Sequence, residues 1–362
     1  MPAFMIKGKA DKRSKSSKLP PIGRKSLGIP HIGKVAPMNI LDQQNFFFQN
    51  DCAVNPILNY SQTSQQDYTS KFKVSSKYLL EAITILENCL REYSTESNYF
   101  EADGGSLLSK EETIEYFNTY MSGLNLENVL SLKFSDQAIA ATAVNYNPRS
   151  QKCVATIAMP IAYRENRISG VLHHEIGTHL LRSLNDKKQV WNNKRKKWRL
   201  MHYMETEEGL ATLHTNIESA FTNNRKAYLW GAALHYYASF KASQMSFVDL
   251  YKDLEKYIDN PVRRFKEVLR VKRGLEDTSQ PGGCYKDQVY LSGAIKILKA
   301  RWRIDFKELY AGKIALEDYF RDDVKGVLKT EDVILPNFMK DMEMYRQALD
   351  NIAKVNGINF YK

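Results

Sequence analysis

The stretch Val171-Leu-His-His-Glu-Ile-Gly-Thr-His-Leu180 contains two histidines, His174 and His179, on either side of a glutamate, Glu175. Two imidazoles and a carboxylate on one short segment are typical of zinc hydrolases, whose common H-E-x-x-H pattern puts the histidines four residues apart on a helix. Here they are five residues apart, about 140° around a regular α-helix, so they would point to different sides. A π-type turn with about 4.4 residues per turn restores a shared face. The spacing therefore predicts a helix with a π-bulge near Gly177.

A second segment, Met204-Glu-Thr-Glu-Glu-Gly-Leu-Ala-Thr-Leu-His214, predicts another helix whose first turn carries carboxylates. A catalytic zinc usually has three protein ligands and keeps a fourth position for water, and a glutamate from a neighbouring helix is a common third ligand. Glu205, Glu207 and Glu208 are each suited to this role by their chemistry. Acidic residues at this place also complement the helix dipole, which we expect to be the role of at least two of the three.

Together, His-Glu-Ile-Gly-Thr-His at 174–179 and Glu-Glu-Gly-Leu-Ala at 207–211 resemble the microtubule-associated tyrosine carboxypeptidase family, metalloproteases that remove the C-terminal tyrosine of α-tubulin. A Gly-rich stretch at 273–291 is also similar to that family's downstream segment, so the likeness extends from about residue 35 to the C-terminus. Bacterial relatives share the two core motifs without a tubulin substrate. The motifs therefore indicate a hydrolase more firmly than they indicate its substrate.

The resemblance implies a role for each motif. His174, His179 and Glu208, the glutamate before the glycine, would bind one Zn²⁺. Glu175 would be the general base, taking a proton from zinc-activated water and later passing it to the leaving amine. The implied fold is that of a gluzincin-like zinc metallopeptidase.

Two further roles have candidates in the Gly-rich stretch. Tyr290 is a candidate hydroxyl donor to the negative charge of a tetrahedral intermediate, although in a chain with 21 tyrosines it could equally be a core residue. Arg273 and Lys286 are candidates to hold the substrate's terminal carboxylate, because a guanidinium or an ammonium is its natural partner. The alternative is that both lie in a solvated turn before a helix that begins near Asp287.

Positive charge is concentrated at the N-terminus. Residues 1–34 hold nine lysines and arginines and one acid, Asp11, a net +8 of the chain's formal +11. Since this segment is rich in Ser, Gly and Pro and lacks apolar periodicity, we predict a disordered basic tail over residues 1–36. Such an arm suits an acidic polymer, either the microtubule surface or a nucleic acid. Lys12-Arg13-Ser-Lys15 is alternatively typical of a nuclear-localisation signal.

A basic connector lies between the two metal motifs. It contains seven lysines and arginines with two tryptophans among them: Lys187, Lys188, Lys194, Arg195, Lys196, Lys197, Arg199, Trp191 and Trp198. Because both ends of the connector must lie near the metal, we predict that its charge attracts glutamate-rich tubulin tails. Aromatic residues among basic ones can also stack nucleic-acid bases, but no nucleic-acid-binding motif accompanies them, so an acidic peptide is favoured.

Composition restricts the class of protein further. No apolar run reaches the length of about 18 residues that a membrane span needs, and the N-terminus lacks the apolar stretch of a signal peptide, so we expect a cytoplasmic, microtubule-associated monomer. The four cysteines are scattered without a C-x-x-C pair, which predicts reduced thiols and no structural zinc site.

Helical periodicity dominates the chain, near 77–92, 225–244, 261–272, 287–301 and 337–354. Two runs rich in β-branched residues and alanine, 138–145 and 153–162, predict a hairpin just before the metal helix. The sequence thus predicts a predominantly α-helical α+β fold with a small β-sheet beside the active-site helix.

We expect a catalytic domain over 37–362, with a mainly helical N-terminal part, 37–130, and a zinc-binding and substrate part, 131–362. Two alternatives stay open: a metallopeptidase of this fold with another protein or peptide substrate, and an inactive microtubule- or nucleic-acid-binding module.

Overall fold

The computed structural model describes residues 37–60, 72–102, 104–136, 141–147, 152–222 and 225–358. Helices predominate and are accompanied by a three-stranded sheet, which confirms the predicted α+β class. The predicted disordered tail, 1–36, lies outside the described residues, and the division of the catalytic domain at residue 130 stays a prediction.

The elements follow one another along the chain as a helical part, the sheet, and a longer helical part. They are α1 (Ile40–Gln49), α2 (Leu79–Tyr93), α3 (Glu96–Glu101), α4 (Lys110–Ser122), β1 (Leu130–Ser135), β2 (Thr142–Asn147), β3 (Lys152–Ala158), α5 (Ile168–Leu172), a π-helix (His173–Leu180), α6 (Leu181–Asp186), α7 (Met204–Thr215), α8 (Ile217–Thr222), α9 (Trp230–Ala242), α10 (Phe247–Asp253), a 3-10 turn (Leu254–Lys256), α11 (Pro261–Lys272), α12 (Gln288–Ala300), α13 (Phe306–Tyr310), α14 (Leu316–Tyr319), α15 (Asp322–Lys325), a second 3-10 turn (Asn337–Met339) and α16 (Met342–Val355).

Local signals in the sequence fix several helix starts. Ser109 and Glu112 form the two reciprocal hydrogen bonds of a capping box at the start of α4. Pro261 occupies the first turn of α11, where its missing N–H costs nothing, and the Asn260 side chain caps the same end. The five predicted helical segments are all confirmed, one with the predicted ends (Pro261–Lys272) and four with shifted ends. The last one begins at Met342 because residues 337–339 form a separate 3-10 turn.

The sheet has the strand order β1-β3-β2. Strands β2 and β3 are antiparallel, with Thr142 opposite Ile157, which confirms the predicted hairpin; the residues between them, 148–151, lie outside the described part. Strand β1 was not predicted, and it pairs parallel to β3. Along β3 the side chains of Cys153, Ala155 and Ile157 alternate into the interior, as a half-buried strand requires.

Two hydrophobic cores meet at the π-helix. The smaller core lies between the sheet and the helices α4 and α5, and Ile176 and Leu180 of the π-helix belong to it. The larger core surrounds α9, which is buried on most of its surface. The four cysteines, all within the described residues, form no disulfide. Within the described residues, no helix combines the length and the apolar character that crossing a membrane would need.

Helices α7 and α12 cross with their backbones in direct contact. At Gly293 of α12, a Cβ atom would overlap the carbonyl oxygen of Glu205 and lie 2.9 Å from the Cα of Gly209. At Gly209 of α7, a Cβ would in turn overlap the backbone of Gly293. This contact fixes the position of α7 along its own axis. It therefore decides where the carboxylates in the first turn of α7 face the π-helix.

We therefore expect Gly293→Ala to lower the free energy of unfolding by about 3 kcal/mol or more, since an extra methyl here forces two packed backbones apart. Gly231→Ala, in the first turn of α9, is the matched control. Its Cβ would meet nothing within 4 Å, so it should be neutral or add about 0.5 kcal/mol through helix propensity. Urea denaturation of both variants provides the measurement, and equal stabilities would contradict the packing account.

Candidate functional site

The segment that carries both histidines is a π-helix, His173–Leu180, which confirms the bulge predicted from their spacing. The rings of His174 and His179 lie on one side of it, with their centroids 5.0 Å apart. Two hydrogen bonds from side-chain hydroxyls to backbone carbonyls stabilise the widened turn. The Thr178 hydroxyl donates to the carbonyl of His173 at 2.8 Å, and the Tyr310 hydroxyl donates to the carbonyl of Gly177.

Gly177 is required for space. Its backbone does not adopt a positive φ, so the reason is not the conformational freedom that a deformed helix suggests. A Cβ at this position would lie 2.6 Å from the hydroxyl oxygen of Tyr120. That hydroxyl hydrogen-bonds Nδ1 of His173 at 2.9 Å, and Nε2 of His173 contacts Glu218 at 2.8 Å. The ring of His173 therefore faces away from His174 and His179.

Glu208, from α7, completes a three-residue cluster with the histidines. Its Oε2 lies 3.9 Å from Nε2 of His174 and 3.6 Å from Nε2 of His179. Within the described residues this is the one group of three or more histidine, cysteine, aspartate or glutamate side chains whose ligand atoms all lie within 4.8 Å of one another. Two ligands of a tetrahedral zinc, at 2.0–2.1 Å from the ion, are about 3.4 Å apart. The distances from Glu208 to the two histidines are thus slightly longer than the ligand-to-ligand distance in a site that holds zinc.

The carboxylate of Glu208 has an unusual environment for a buried group. Its Oε2 is inaccessible to solvent and has no hydrogen-bond partner among the described residues. Buried polar atoms nearly always have a partner, because leaving one unpaired costs free energy. A cation between Glu208 and the two histidines would provide that partner, so these three residues could hold a metal ion.

Neighbouring side chains orient both imidazoles with Nε2 toward Glu208. The Thr215 hydroxyl donates to the carbonyl of Ala211 at 2.8 Å and therefore accepts from Nδ1 of His174 at 3.0 Å. The proton on Nδ1 leaves the Nε2 lone pair of His174 available. Nδ1 of His179 contacts Oε1 of Glu207 at 3.0 Å. Metal-binding histidines typically have such a partner on the other ring nitrogen.

Glu207 is the centre of a buried ion-pair network. Arg182, which is fully buried, donates to its carboxylate, and Nζ of Lys313 lies 3.1 Å from it. Arg182 also donates to the carbonyls of Leu309 and Gly312 and so ties the 309–313 turn to the π-helix. Sequence reasoning did not identify Arg182 or Lys313 as site residues, because they lie 25 and 106 positions from Glu207 and only the fold brings them to it.

The three glutamates considered for the third ligand thus have three different environments. Glu205 pairs with Lys296 on the outer side of α7, Glu207 supports His179 through its network, and only Glu208 faces both histidines. The expectation that two of the three merely complement the helix dipole is too simple, since Glu205 and Glu207 each form a specific ion pair.

Burial and charge set the protonation of the cluster in the absence of a metal. Burial lowers the pKa of His174 to about 4, and the neighbouring His179 acts in the same direction. Burial opposes charge on His179 as well, but the carboxylates of Glu208 and Glu207 outweigh it and raise its pKa to about 10. Burial raises the pKa of Glu175 to about 7, against the opposing charge of His179.

A cavity of about 330 Å³ opens beside His174. Tyr290, in the first turn of α12, lines it together with Arg270 of α11, a residue that sequence reasoning did not single out. Burial, and then the charges of Glu208 and Asp287, raise the pKa of Tyr290 well above its usual value, so its hydroxyl remains a hydrogen-bond donor. This geometry brings the candidate Tyr290 to the metal cluster.

Arg273 and Lys286, the candidates for holding a carboxylate, lie next to this cavity. Nε of Arg273 donates to the carbonyl of Arg270 at 2.9 Å, and its Nη2 is 3.7 Å from Asp287. Lys286 is nearly buried, and its Nζ lies 6.0 Å from the centroid of the Tyr290 ring. The Gly-rich stretch that contains them is a packed turn, because Lys272 donates to the carbonyls of Ala242 and Gln280.

The basic connector is anchored at the same turn as the Glu207 network. Trp191 is fully buried and donates to Asp186, and Arg195 donates to the carbonyl of Lys313, so the aromatic residues are not displayed as a base-stacking surface. Five of its basic residues remain exposed: Lys188, Lys194, Lys196, Lys197 and Arg199. None of them lines the cavity beside His174, so their charge acts from a distance.

Comparison with known proteins gives a consistent result. A family model described as microtubule-associated tyrosine carboxypeptidase matches residues 47–356. Microtubule-associated tyrosine carboxypeptidase 1 of Mus musculus is 33% identical over 360 residues, which cover 93% of this chain and 74% of that protein. The Homo sapiens protein of that name is 34% identical over 329 residues, covering 89% and 67%. MATCAP2 of Mus musculus is 36% identical over 329 residues, covering 89% and 61%. The chain spans 61% to 74% of the length of these relatives.

The Glu207 network makes a prediction about stability that does not depend on a metal. Arg182→Met leaves a buried carboxylate with one fewer cation, so we expect a loss of about 3 kcal/mol in the free energy of unfolding, measured with urea in the presence of a chelator. Lys296→Met, at the more exposed pair with Glu205, is the control and should cost less than about 1 kcal/mol. If both substitutions lower the free energy of unfolding by the same amount, the Glu207 network does not stabilise the fold as a buried ion-pair network.

Proposed function

This chain belongs to the microtubule-associated tyrosine carboxypeptidase family, and on that basis we propose that it is a zinc metallocarboxypeptidase that removes the C-terminal tyrosine of α-tubulin on microtubules. The observation that carries the proposal is the cluster of His174, His179 and Glu208, in which a buried carboxylate oxygen without a hydrogen-bond partner faces two oriented imidazoles. A gluzincin-like active site would have this ligand set.

Zinc fits the cluster by the chemistry of its ligands. Two imidazole nitrogens and one carboxylate oxygen are a common catalytic set, and a fourth position is left for water or substrate. When bound, the ion supplies a Lewis acid and lowers the pKa of a water molecule toward neutrality. Thr215 and Glu207 keep the two rings in the orientation that this requires.

The remaining steps belong to side chains around the cluster. Glu175, adjacent to His174 in the π-helix, takes the proton of the attacking water and delivers it to the leaving amine. Tyr290, across the cavity, donates a hydrogen bond to the oxygen on which negative charge develops. Both groups act from rigid positions, since one is on the π-helix and the other is in the first turn of α12.

The charge of the chain supports an acidic substrate. Positive charge is concentrated in two stretches of the sequence, the basic connector with its exposed lysines and the segment 1–34 with nine basic residues. Such regions attract a glutamate-rich polypeptide and raise its association rate at low ionic strength. We therefore propose a cytoplasmic protein that acts as a monomer on the microtubule cytoskeleton.

Glu175→Gln tests the proposed chemistry. It retains the shape of the side chain but removes the base, so we expect release of tyrosine from assembled microtubules to fall by roughly 10²–10⁴-fold. Glu205→Gln, on the outer side of α7, is the control and should keep activity near that of the wild type.

The outcome of the same assay separates the alternatives. If the wild-type chain cleaves short peptides but leaves microtubule tyrosine intact, the substrate assignment is wrong and the peptidase assignment stands. If it binds microtubules and releases no amino acid from any substrate, it is a binding module and the proposal fails.

Removal of residues 1–34 tests the role of the basic tail. Loss of a net +8 should weaken cosedimentation with microtubules by roughly tenfold or more at low salt, and the difference should shrink as salt screens the charge. Unchanged binding at low salt would show that the tail does not attach the protein to microtubules.

A further inference from the structure

The cavity beside His174 has two chemically distinct walls. One wall is aromatic and is formed by Tyr99, Phe100, Tyr228 and Trp230, three of which are almost fully buried. The rings contact one another, with Tyr99 5.5 Å from Phe100 and 6.2 Å from both Tyr228 and Trp230 between centroids. Trp230 is further fixed by a 2.9 Å hydrogen bond from its Nε1 to Glu96. These rings therefore form one packed aromatic part of the cavity lining.

The other wall carries the guanidinium of Arg270. Its Nε donates to Oδ2 of Asp287 at 2.6 Å, which fixes the plane of the group. No acceptor for its two other nitrogens lies among the described residues. A guanidinium held at Nε presents its two terminal nitrogens as a fork that matches the two oxygens of a carboxylate.

Positive charge exceeds negative charge around Asp287. Arg270 contacts its carboxylate at 2.6 Å, Arg273 lies at 3.7 Å, and Lys286 is near enough to act on it as well. Burial alone would raise the pKa of Asp287, but these cations, with Arg270 first, hold it well below its usual range. Glu267, one turn before Arg270 on α11, also acts on that guanidinium, and it is paired with Arg263 at 2.8 Å. Two carboxylates, Asp287 and Glu267, therefore face four cations, and a further anion can enter without meeting net negative charge.

Tyr290 connects this end of the cavity to the metal cluster. Its ring lines the cavity together with His174 of the cluster and with Arg270, and burial followed by the charge of Glu208 raises the pKa of its hydroxyl. A short molecule can therefore contact Arg270 while an adjacent atom lies close to the cluster. A C-terminal amino acid has this length, because a single Cα separates its carboxylate from the nitrogen of the last peptide bond.

Resting on the proposed function, we propose that this cavity binds the terminal residue of the substrate: Arg270 pairs with its carboxylate, and the aromatic wall accepts its aromatic side chain. Arg273 and Lys286, the candidates from the sequence, then act by holding Asp287 and by adding charge. Arg167, the other guanidinium of the cavity, stacks on Phe100 with 4.5 Å between its Cζ and the ring centroid and belongs to the aromatic wall.

Binding to a full-length Glu175→Gln chain tests this site without turnover. The probes are a short peptide ending in tyrosine, the same peptide as its C-terminal amide, and a version ending in alanine, each measured by titration calorimetry. We expect the acid to bind roughly 10- to 100-fold more tightly than the amide, and the tyrosine peptide more tightly than the alanine peptide.

Arg270→Gln, added to that chain, should reduce the preference for the acid over the amide to within about twofold and retain the preference for tyrosine over alanine. Because Asp287 loses its closest partner in this variant, Arg270→Lys is a second test. It keeps a cation for Asp287 and lacks the fork, so it should give an intermediate acid preference. Arg273→Gln and Lys286→Gln should each reduce the acid preference less than Arg270→Gln does. Lys266→Gln, at an exposed lysine of the same helix that does not line this cavity, is the control and should keep the full acid preference.

A full acid preference in folded Arg270→Gln would overturn the assignment of the carboxylate site, as would a larger loss of that preference in Arg273→Gln or Lys286→Gln than in Arg270→Gln. Equal binding of the tyrosine and alanine peptides would overturn the assignment of the aromatic wall. The proposed function has a separate test. It would be contradicted if the wild-type protein released no terminal tyrosine from microtubules.

Discussion

The arrangement of the site depends on one widened helical turn. Five residues separate His174 from His179, and only the π-helix at 173–180 turns both rings to the same side. The turn is stable because it is enclosed. The Tyr310 hydroxyl donates to the carbonyl of Gly177, and the Tyr120 hydroxyl lies only 2.6 Å from where a Cβ of residue 177 would be. A regular α-helix with this sequence would separate the two imidazoles by about 140° and leave Glu208 without a shared partner.

Helix α7 must approach this turn closely for the third residue of the cluster to reach it, and small residues make that approach possible. Gly209 directly follows Glu208 and contacts Gly293 of α12, while Gly170 lies where a side chain would overlap the carbonyl of Thr215 at the end of α7. The Glu-Gly pair of the second motif thus combines a candidate ligand with the space it needs. Beyond this layer, Glu207 links His179 to Arg182 and Lys313. Packing and charge both hold the carboxylate and the rings in place.

Features set by short-range spacing could be predicted from the sequence, and features set by distant contacts could not. The gap between the histidines predicted the π-turn, and helical periodicity predicted α2, α9, α11, α12 and α16. By contrast, β1 was missed because its parallel pairing with β3 depends on residues more than 20 positions away. Arg182, Thr215, Lys313 and Arg270 carry no local signal, since each is an ordinary helix or turn residue until the fold places it beside Glu207, His174 or the cavity. The π-bulge near Gly177 was predicted, but the close contact of Gly177 with the Tyr120 hydroxyl could not be, because Tyr120 is 57 positions away.

The most direct measurement is the zinc content of the purified full-length chain and of single-residue variants, determined by plasma mass spectrometry. The account predicts about one zinc per chain in the wild type and a loss of zinc in His174→Gln, His179→Gln and Glu208→Gln. It predicts an unchanged content in His173→Gln, because that ring faces Tyr120 and Glu218 on the other side of the π-helix. A full complement of zinc in His179→Gln and Glu208→Gln would contradict the claim that the widened turn assembles a metal site.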